Sequence, residues 1–269
     1  MLAARYHLDR RLGRGGLGTV YAAVDTALDR QVAVKVIRDD LVTNDDVVRR
    51  FQLEARIAAA FVHPNVVTVH DFGMTGSRAF LVMELLHGTT LRDELRRHSR
   101  LSAAETLRIM SHVCAAVEAA HRRQLVHRDL KPENIFIART EAGEVAKVLD
   151  FGIAKVLADE TRLGTKNGTG AGVLLGTLPY MAPELLQGEE VQPGCDLWAL
   201  AVIAFELLTG GHPFTSYGAA TGPRALNERL ASSGAQEFFA RALAVDPAER
   251  PESPAAFLNE LGRALATSP

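Results

Sequence analysis

Cysteine is nearly missing from this 269-residue chain, which has only Cys114 and Cys195. Both stand in apolar, helix-like stretches where small buried thiols are common, so a disulfide framework is excluded and a reducing compartment is expected. Net charge is nearly absent too, with 30 Lys and Arg against 32 Asp and Glu. That balance leaves no electrostatic footprint for nucleic acid or a membrane surface. The N-terminal MLAARYHLDR has no apolar signal core, and no uncharged apolar window of roughly 18 residues occurs. Secretion and membrane spanning are therefore not expected, and a cytoplasmic protein is. No internal repeat is evident, and the basic run RDELRRHSR, Arg92 to Arg100, reads as the wet face of a helix rather than a docking patch.

What is present is an uneven distribution of patterns. From Tyr6 to Glu84 the apolar residues recur mostly with period two, and runs such as VAVKVI and AFLVME read as strands. One helix interrupts them from about Asp45 to Phe61, with Phe51, Leu53, Ile57 and Phe61 as its apolar positions and HPN as its stop. After His87-Gly88 the pattern becomes helical. Leu107, Met110, Cys114 and Val117 mark one long helix, and a strongly apolar one runs from Asp196 to Thr209. The expectation is two lobes joined near Leu85 to Thr89, with a cleft as the natural ligand site. DETRLGTKNGTGAGV, Asp159 to Val173, reads as a long exposed loop.

The stretch LGRGGLGTVYAAV places Gly13, Gly15 and Gly18 in the spacing G-x-G-x-x-G, which lets a backbone approach a phosphate closely. A dinucleotide turn, a lid over a triphosphate and a flexible hairpin all fit that spacing alone. A dinucleotide turn must open a helix, whereas Val20, Ala22 and Val24 alternate here as a second strand, so the glycines sit at a hairpin tip. Lys35 follows in the middle of a third strand, where it is either a solvated strand residue or a phosphate ligand. VHRDLKPENIFI then gathers His127, Arg128, Asp129, Lys131, Glu133 and Asn134 between apolar residues, and VLDFG ends a strand at Asp150. Asp and Asn oxygens suit Mg2+.

With the glycine hairpin, AVK, Glu54, HPN, HRDLKPEN, DFG, APE, DLWAL and ERP in this order over nearly the whole chain, the sequence resembles the protein kinases. Within them it is similar to the bacterial serine/threonine kinases of eukaryotic type. The resemblance implies an α+β, two-lobed fold over 1–269. A small antiparallel β-sheet lobe with one main helix spans 1–84, a hinge 85–89, and a larger mostly α-helical lobe 90–269.

It also implies ATP and Mg2+, with Mn2+ as an alternative, and protein substrates bearing serine or threonine, with dimerisation left open. Leu12, Gly13, Arg14, Gly15, Gly16, Leu17, Gly18, Thr19 and Val20 would cover the nucleotide, and Lys35, paired with Glu54, would hold its phosphates. Ala33, Met83, Glu84, Leu86 and Phe136 would surround the adenine. Asp129 would take or orient the substrate proton, Lys131 would stabilise the transferring group, and Asn134 and Asp150 would bind the metal.

DLKPEN and Thr177 fit the serine/threonine members, and Glu184 with Arg250 would brace the large lobe by a buried ion pair. Arg128 marks kinases whose activation loop is ordered by a phosphate. Among Thr161, Thr165 and Thr169, the spacing to Gly176-Thr177 favours Thr169, with autophosphorylation as the expected route. The chain departs from the pattern at Leu17, where an aromatic is frequent, and in a shortened Phe214 to Arg250 span that carries SYGAATG at 216–222. An active kinase is the favoured reading. A catalytically weak binding or scaffold module is the alternative, and an enzyme for a small-molecule hydroxyl is disfavoured by Lys131, Thr177 and the APE segment.

Overall fold

The computed structural model describes residues 1–42, 45–76, 78–151, 178–214, 230 and 232–266. The chain divides into two compact units. One is built on Met1–His87 and takes in Asp150 and Phe151; the other is built on Gly88–Leu149 and the described residues from Leu178 onward.

In the first unit, strands β1 (Tyr6–Gly15), β2 (Gly18–Asp25), β3 (Arg30–Ile37), β4 (Val69–Thr75) and β5 (Arg78–Glu84) form one antiparallel sheet in the order β1-β2-β3-β5-β4. Because strand side chains alternate between faces, Val32 and Val34 join Tyr6, Ala23, Phe80 and Val82 in one apolar cluster. The same alternation turns Lys35 to the opposite face, with Ala33 and Ile37. Beyond Tyr6, β1 is an exposed edge strand. Its Asp9, Arg10 and Arg11 are the kind of charges that discourage pairing with another chain. The strand's start is held by Arg5, which donates to both carboxylate oxygens of Asp25 at 2.7 Å, and by the Tyr6 hydroxyl on Asp71 at 2.5 Å.

Helix α1 (Asp45–Ala60) buries Val47, Phe51, Ala55 and Ala58, one stripe at helical spacing. Leu53, expected among the apolar positions, is instead 56% exposed. It lies about 200° around the helix from Phe51, on the solvent side.

The second unit begins with β6 (Gly88–Thr90), which pairs with β7 (Ile135–Thr140), itself paired with β8 (Gly143–Val148). Gly88 has φ 147°, and a Cβ there would stand 1.9 Å from the carbonyl oxygen of Ile137, so the pairing needs glycine. The helices are α2 (Leu91–His98), α3 (Ala103–His121), α4 (Pro183–Leu186), α5 (Gly194–Thr209), α6 (Ser233–Ala242) and α7 (Pro254–Ala266). A full capping box of Ser102 and Glu105 starts α3. Helix α5 is buried on all sides from Cys195 to Phe205, as its continuous apolar composition requires. The expected brace is present: Arg250 donates to Glu184 at 2.7 and 2.8 Å, with both side chains buried. Among the described residues no helix is long and apolar enough to cross a membrane.

Candidate active site

The first unit carries the glycine hairpin, and its glycines are not equivalent. Gly15 and Gly18 face each other as the last pair of the β1–β2 ladder. A Cβ on Gly18 would meet the carbonyl oxygen of Val36 at 2.2 Å, so β3 itself demands glycine there. Among the described residues a Cβ on Gly13 or Gly15 would meet nothing within 4 Å. Packing among those residues gives no reason for the two glycines, which fits a surface kept bare for the close approach of phosphate. Arg38 steadies the turn, its backbone N–H donating to Leu17 at 3.1 Å and its side chain to Gly16 at 3.4 Å. Leu12, Arg14 and Gly16 are exposed, while Thr19 and Val20 are half-buried on β2.

Behind the hairpin, Lys35 is 6% exposed and gives its ammonium to Asp150 Oδ2 at 2.7 Å. A nearly buried cation needs an anion, and Asp150 supplies one. Glu54, at helical spacing from Val47, Phe51 and Ala58 on α1, is half-buried and engaged in an interaction of its own. Ala33 and Met83 pair across β3 and β5 and are both buried. Met83 also lines a small cavity with Leu81, Val69, Phe61, Asp150 and Phe151. The Glu84 N–H donates to the Thr68 carbonyl at 3.0 Å, and Leu86 follows, half-buried.

In the second unit, the Asp129 segment is tied down from every side. Lys131 Nζ reaches both Asp129 carboxylate oxygens at 2.8 and 2.9 Å, and Asn134 Nδ2 donates to the Asp129 carbonyl at 2.8 Å and to Oδ2 at 2.9 Å. His127 accepts from the Asp129 N–H at 3.3 Å and bonds the Leu149 carbonyl at 2.8 Å. Arg128 has φ 68°, a strained value for a residue with a side chain. The strain is supported by Asp196, 1% exposed at the start of α5, whose carboxylate accepts the N–H groups of His127 and Arg128, each at 2.9 Å. The same carboxylate bonds His121 Nε2 at 2.8 Å.

Asp196 is thus a positioning residue for this loop, which the sequence shows only within DLWAL and at the start of an apolar helix. Its signal was there: it is the sole acid in the apolar run from Cys195 to Phe205. Phe136 is half-buried on β7, and the Arg128 Nε and Nη1 atoms are buried with no hydrogen-bond partner among the described residues. Burial pushes the thiols of Cys114 and Cys195 up, so neither serves as a nucleophile. Thr161, Thr165, Thr169, Gly176, Thr177, Gly152 and 216–222 lie outside the described residues.

Each unit carries an oxygen of the kind a hard cation takes: in the second, Asn134 spends its amide nitrogen on Asp129 and has its carbonyl oxygen besides, and in the first, Asp150 carries a carboxylate. Among the described residues no group of three or more His, Cys, Asp or Glu side chains is placed to hold a metal by itself.

Comparison with known proteins gives these arrangements a family. The protein kinase domain family matches residues 6–260. Serine/threonine-protein kinase Pkn1 of Myxococcus xanthus is 42% identical over 97% of this chain and 38% of its own length. PknA of Mycobacterium tuberculosis is 40% identical over 82% and 50%, and PrkC of Bacillus subtilis 38% identical over 79% and 32%. The chain therefore spans half or less of the length of these relatives. The crystal structure of the Mycobacterium tuberculosis PknI kinase domain superposes with a TM-score of 0.78 at 27% identity, covering 98% of this chain and 97% of the other. The chain belongs to the protein kinase domain family, in the company of bacterial serine/threonine kinases.

Proposed function

We propose that this chain transfers the γ-phosphoryl group of ATP to serine and threonine hydroxyls of proteins. The observation that carries the reading is the Asp129 cluster, in which a carboxylate is held by Lys131 and Asn134 in a loop fixed by Asp196. Phosphoryl transfer needs positioning and charge neutralisation more than covalent chemistry. In this mechanism Asp129 orients the substrate hydroxyl and accepts its proton. Lys131, already on the Asp129 carboxylate, stabilises the charge on the transferring group.

Gly13 and Gly15 let the hairpin backbone approach the phosphates, with Leu12, Arg14, Gly16, Leu17, Gly18, Thr19 and Val20 forming the rest of the cover. Lys35 holds the α- and β-phosphates, and Glu54 is its second anchor. Ala33, Met83, Glu84, Leu86 and Phe136 receive the adenine. Asn134 and Asp150 would hold Mg2+, or Mn2+ in its place, which would supply neutralisation of charge on the phosphate oxygens.

The buried Nε and Nη1 of Arg128, without a partner among the described residues, support phosphorylation of the chain's own loop, since a phosphate is a strong partner for such a group. Thr169 is the favoured acceptor. A DLKPEN loop and serine/threonine kinase relatives favour this activity over a catalytically weak scaffold. Incubation with labelled ATP and a mixed protein substrate should yield phosphoserine and phosphothreonine, and mass spectrometry should find phosphate between Asp150 and Glu184. Nucleotide binding without any transfer would establish the scaffold instead.

A further inference from the structure

Arg92, at the start of α2, belongs to the run read from the sequence as a solvated helix face. Arg96, Arg97, His98 and Arg100 of that run are exposed, but the Arg92 side chain is only 19% exposed. Its guanidinium binds three partners from three other parts of the second unit. Nε donates to Glu133 Oε1 at 2.8 Å, Nη1 donates to Glu206 Oε1 at 2.6 Å, and Nη2 donates to the Tyr180 hydroxyl. The Tyr180 hydroxyl in turn donates to Glu206 Oε2. Glu133 lies in the same loop as Asp129 and Lys131, and Tyr180 directly follows the segment that carries Thr177. The Glu206 side chain is 12% exposed and that of Glu133 45%.

Without Arg92, two carboxylates and a phenol would face one another with no cation between them, one carboxylate being half open to solvent. Such a pair is what a lysine or arginine of a peptide binds, because complementary charge across an interface selects partners and like charge rejects them. Arg92 fills that position from within the chain. Burial works against its charge, and the bonds to Glu206 and Glu133 more than offset this, so its pKa is raised above the ordinary arginine value.

We propose that Arg92 is a specificity-determining residue: by occupying Glu133 and Glu206 it makes the peptide-binding surface beside Asp129 indifferent to basic residues. The inference rests on the proposed function for its peptide, but not for its charge site. Two features argue that the cluster does more than brace the fold. The Glu133 side chain stays half open to solvent, and Arg92 joins the loop of Asp129, through Glu133, to Tyr180 of the Leu178–Tyr180 turn.

The test uses the whole chain, a fluorescent peptide of serine flanked by arginines, and a neutral counterpart. Wild type should bind and phosphorylate the two alike. Arg92→Ala should bind the basic peptide about tenfold more tightly than the neutral one, with the gain in KM rather than kcat. The gain should vanish in Arg92→Ala/Glu206→Gln. Arg92→Met, which keeps the stem, should behave as Arg92→Ala does.

A wild type that already prefers the basic peptide, or an Arg92→Ala protein that binds both alike, overturns the proposal. So does failure of both Arg92→Ala and Arg92→Met to fold, which would make the cluster a brace alone. The binding arm does not depend on turnover. Absence of phosphate transfer to any peptide therefore counts against the kinase reading, while the titration still decides the charge site.

Discussion

The glycine hairpin of the first unit and the Asp129 loop of the second are both short segments rich in charged chemistry, and the chain holds them in opposite ways. The hairpin tip is an exposed extension of an edge strand, steadied by the pairing of Gly18 and Thr19 with Ile37 and Val36 of β3 and by Arg38. The Asp129 loop is fastened by Lys131, Asn134, His127 and the buried Asp196. A segment that must admit and release a ligand belongs at the low-stability end of a structure. One that must present a base and a cation in fixed geometry has to be preorganised. The contrast is what the proposed function asks for, with nucleotide binding assigned to the hairpin and chemistry to the loop.

The largest expected effect is on the loop. Asp129→Asn removes the base while keeping the shape, and transfer should fall by about 10²–10⁴ in steady-state assays with the thermal transition unchanged. Asp196→Ala strikes the same loop through its support. It orphans two buried N–H groups and His121, and should cost on the order of 3 kcal/mol in urea denaturation while also lowering turnover. A variant that kept full activity would detach the loop from its brace.

The hairpin should respond in the other currency. Gly15→Val adds a side chain to open space, so stability should hold while kcat/KM for ATP falls by about tenfold or more. Gly18→Ala should do the reverse. Its Cβ collides with the Val36 carbonyl, and about 1–3 kcal/mol of stability should go, read by denaturation of the isolated chain. Equal behaviour of the two glycine variants would erase the distinction drawn between them.

Where chemistry is contiguous along the chain, it was legible. HRDLKPEN brings a base, a cation and an amide together whatever the rest of the fold does, and the period-two pattern after Gly18 identified a hairpin over a dinucleotide turn. Contributions set by distant partners were not. Asp196 lies far along the chain from the loop it supports. Arg92 looked like its solvated neighbours because nothing in α2 announces Glu206 or Tyr180. The exposure of Leu53 depended on the phase of α1, which apolar residues on several faces left ambiguous until Val47, Phe51, Ala55 and Ala58 fixed it.

The most direct test of this division is ATP titration of Asp129→Asn beside its turnover and beside Gly15→Val. Asp129→Asn should bind ATP within about twofold of wild type and transfer almost none of it, while Gly15→Val should bind weakly and transfer what it binds. If Asp129→Asn lost ATP affinity, or transferred phosphate at the wild-type rate, binding and chemistry would not be separated as the two segments suggest.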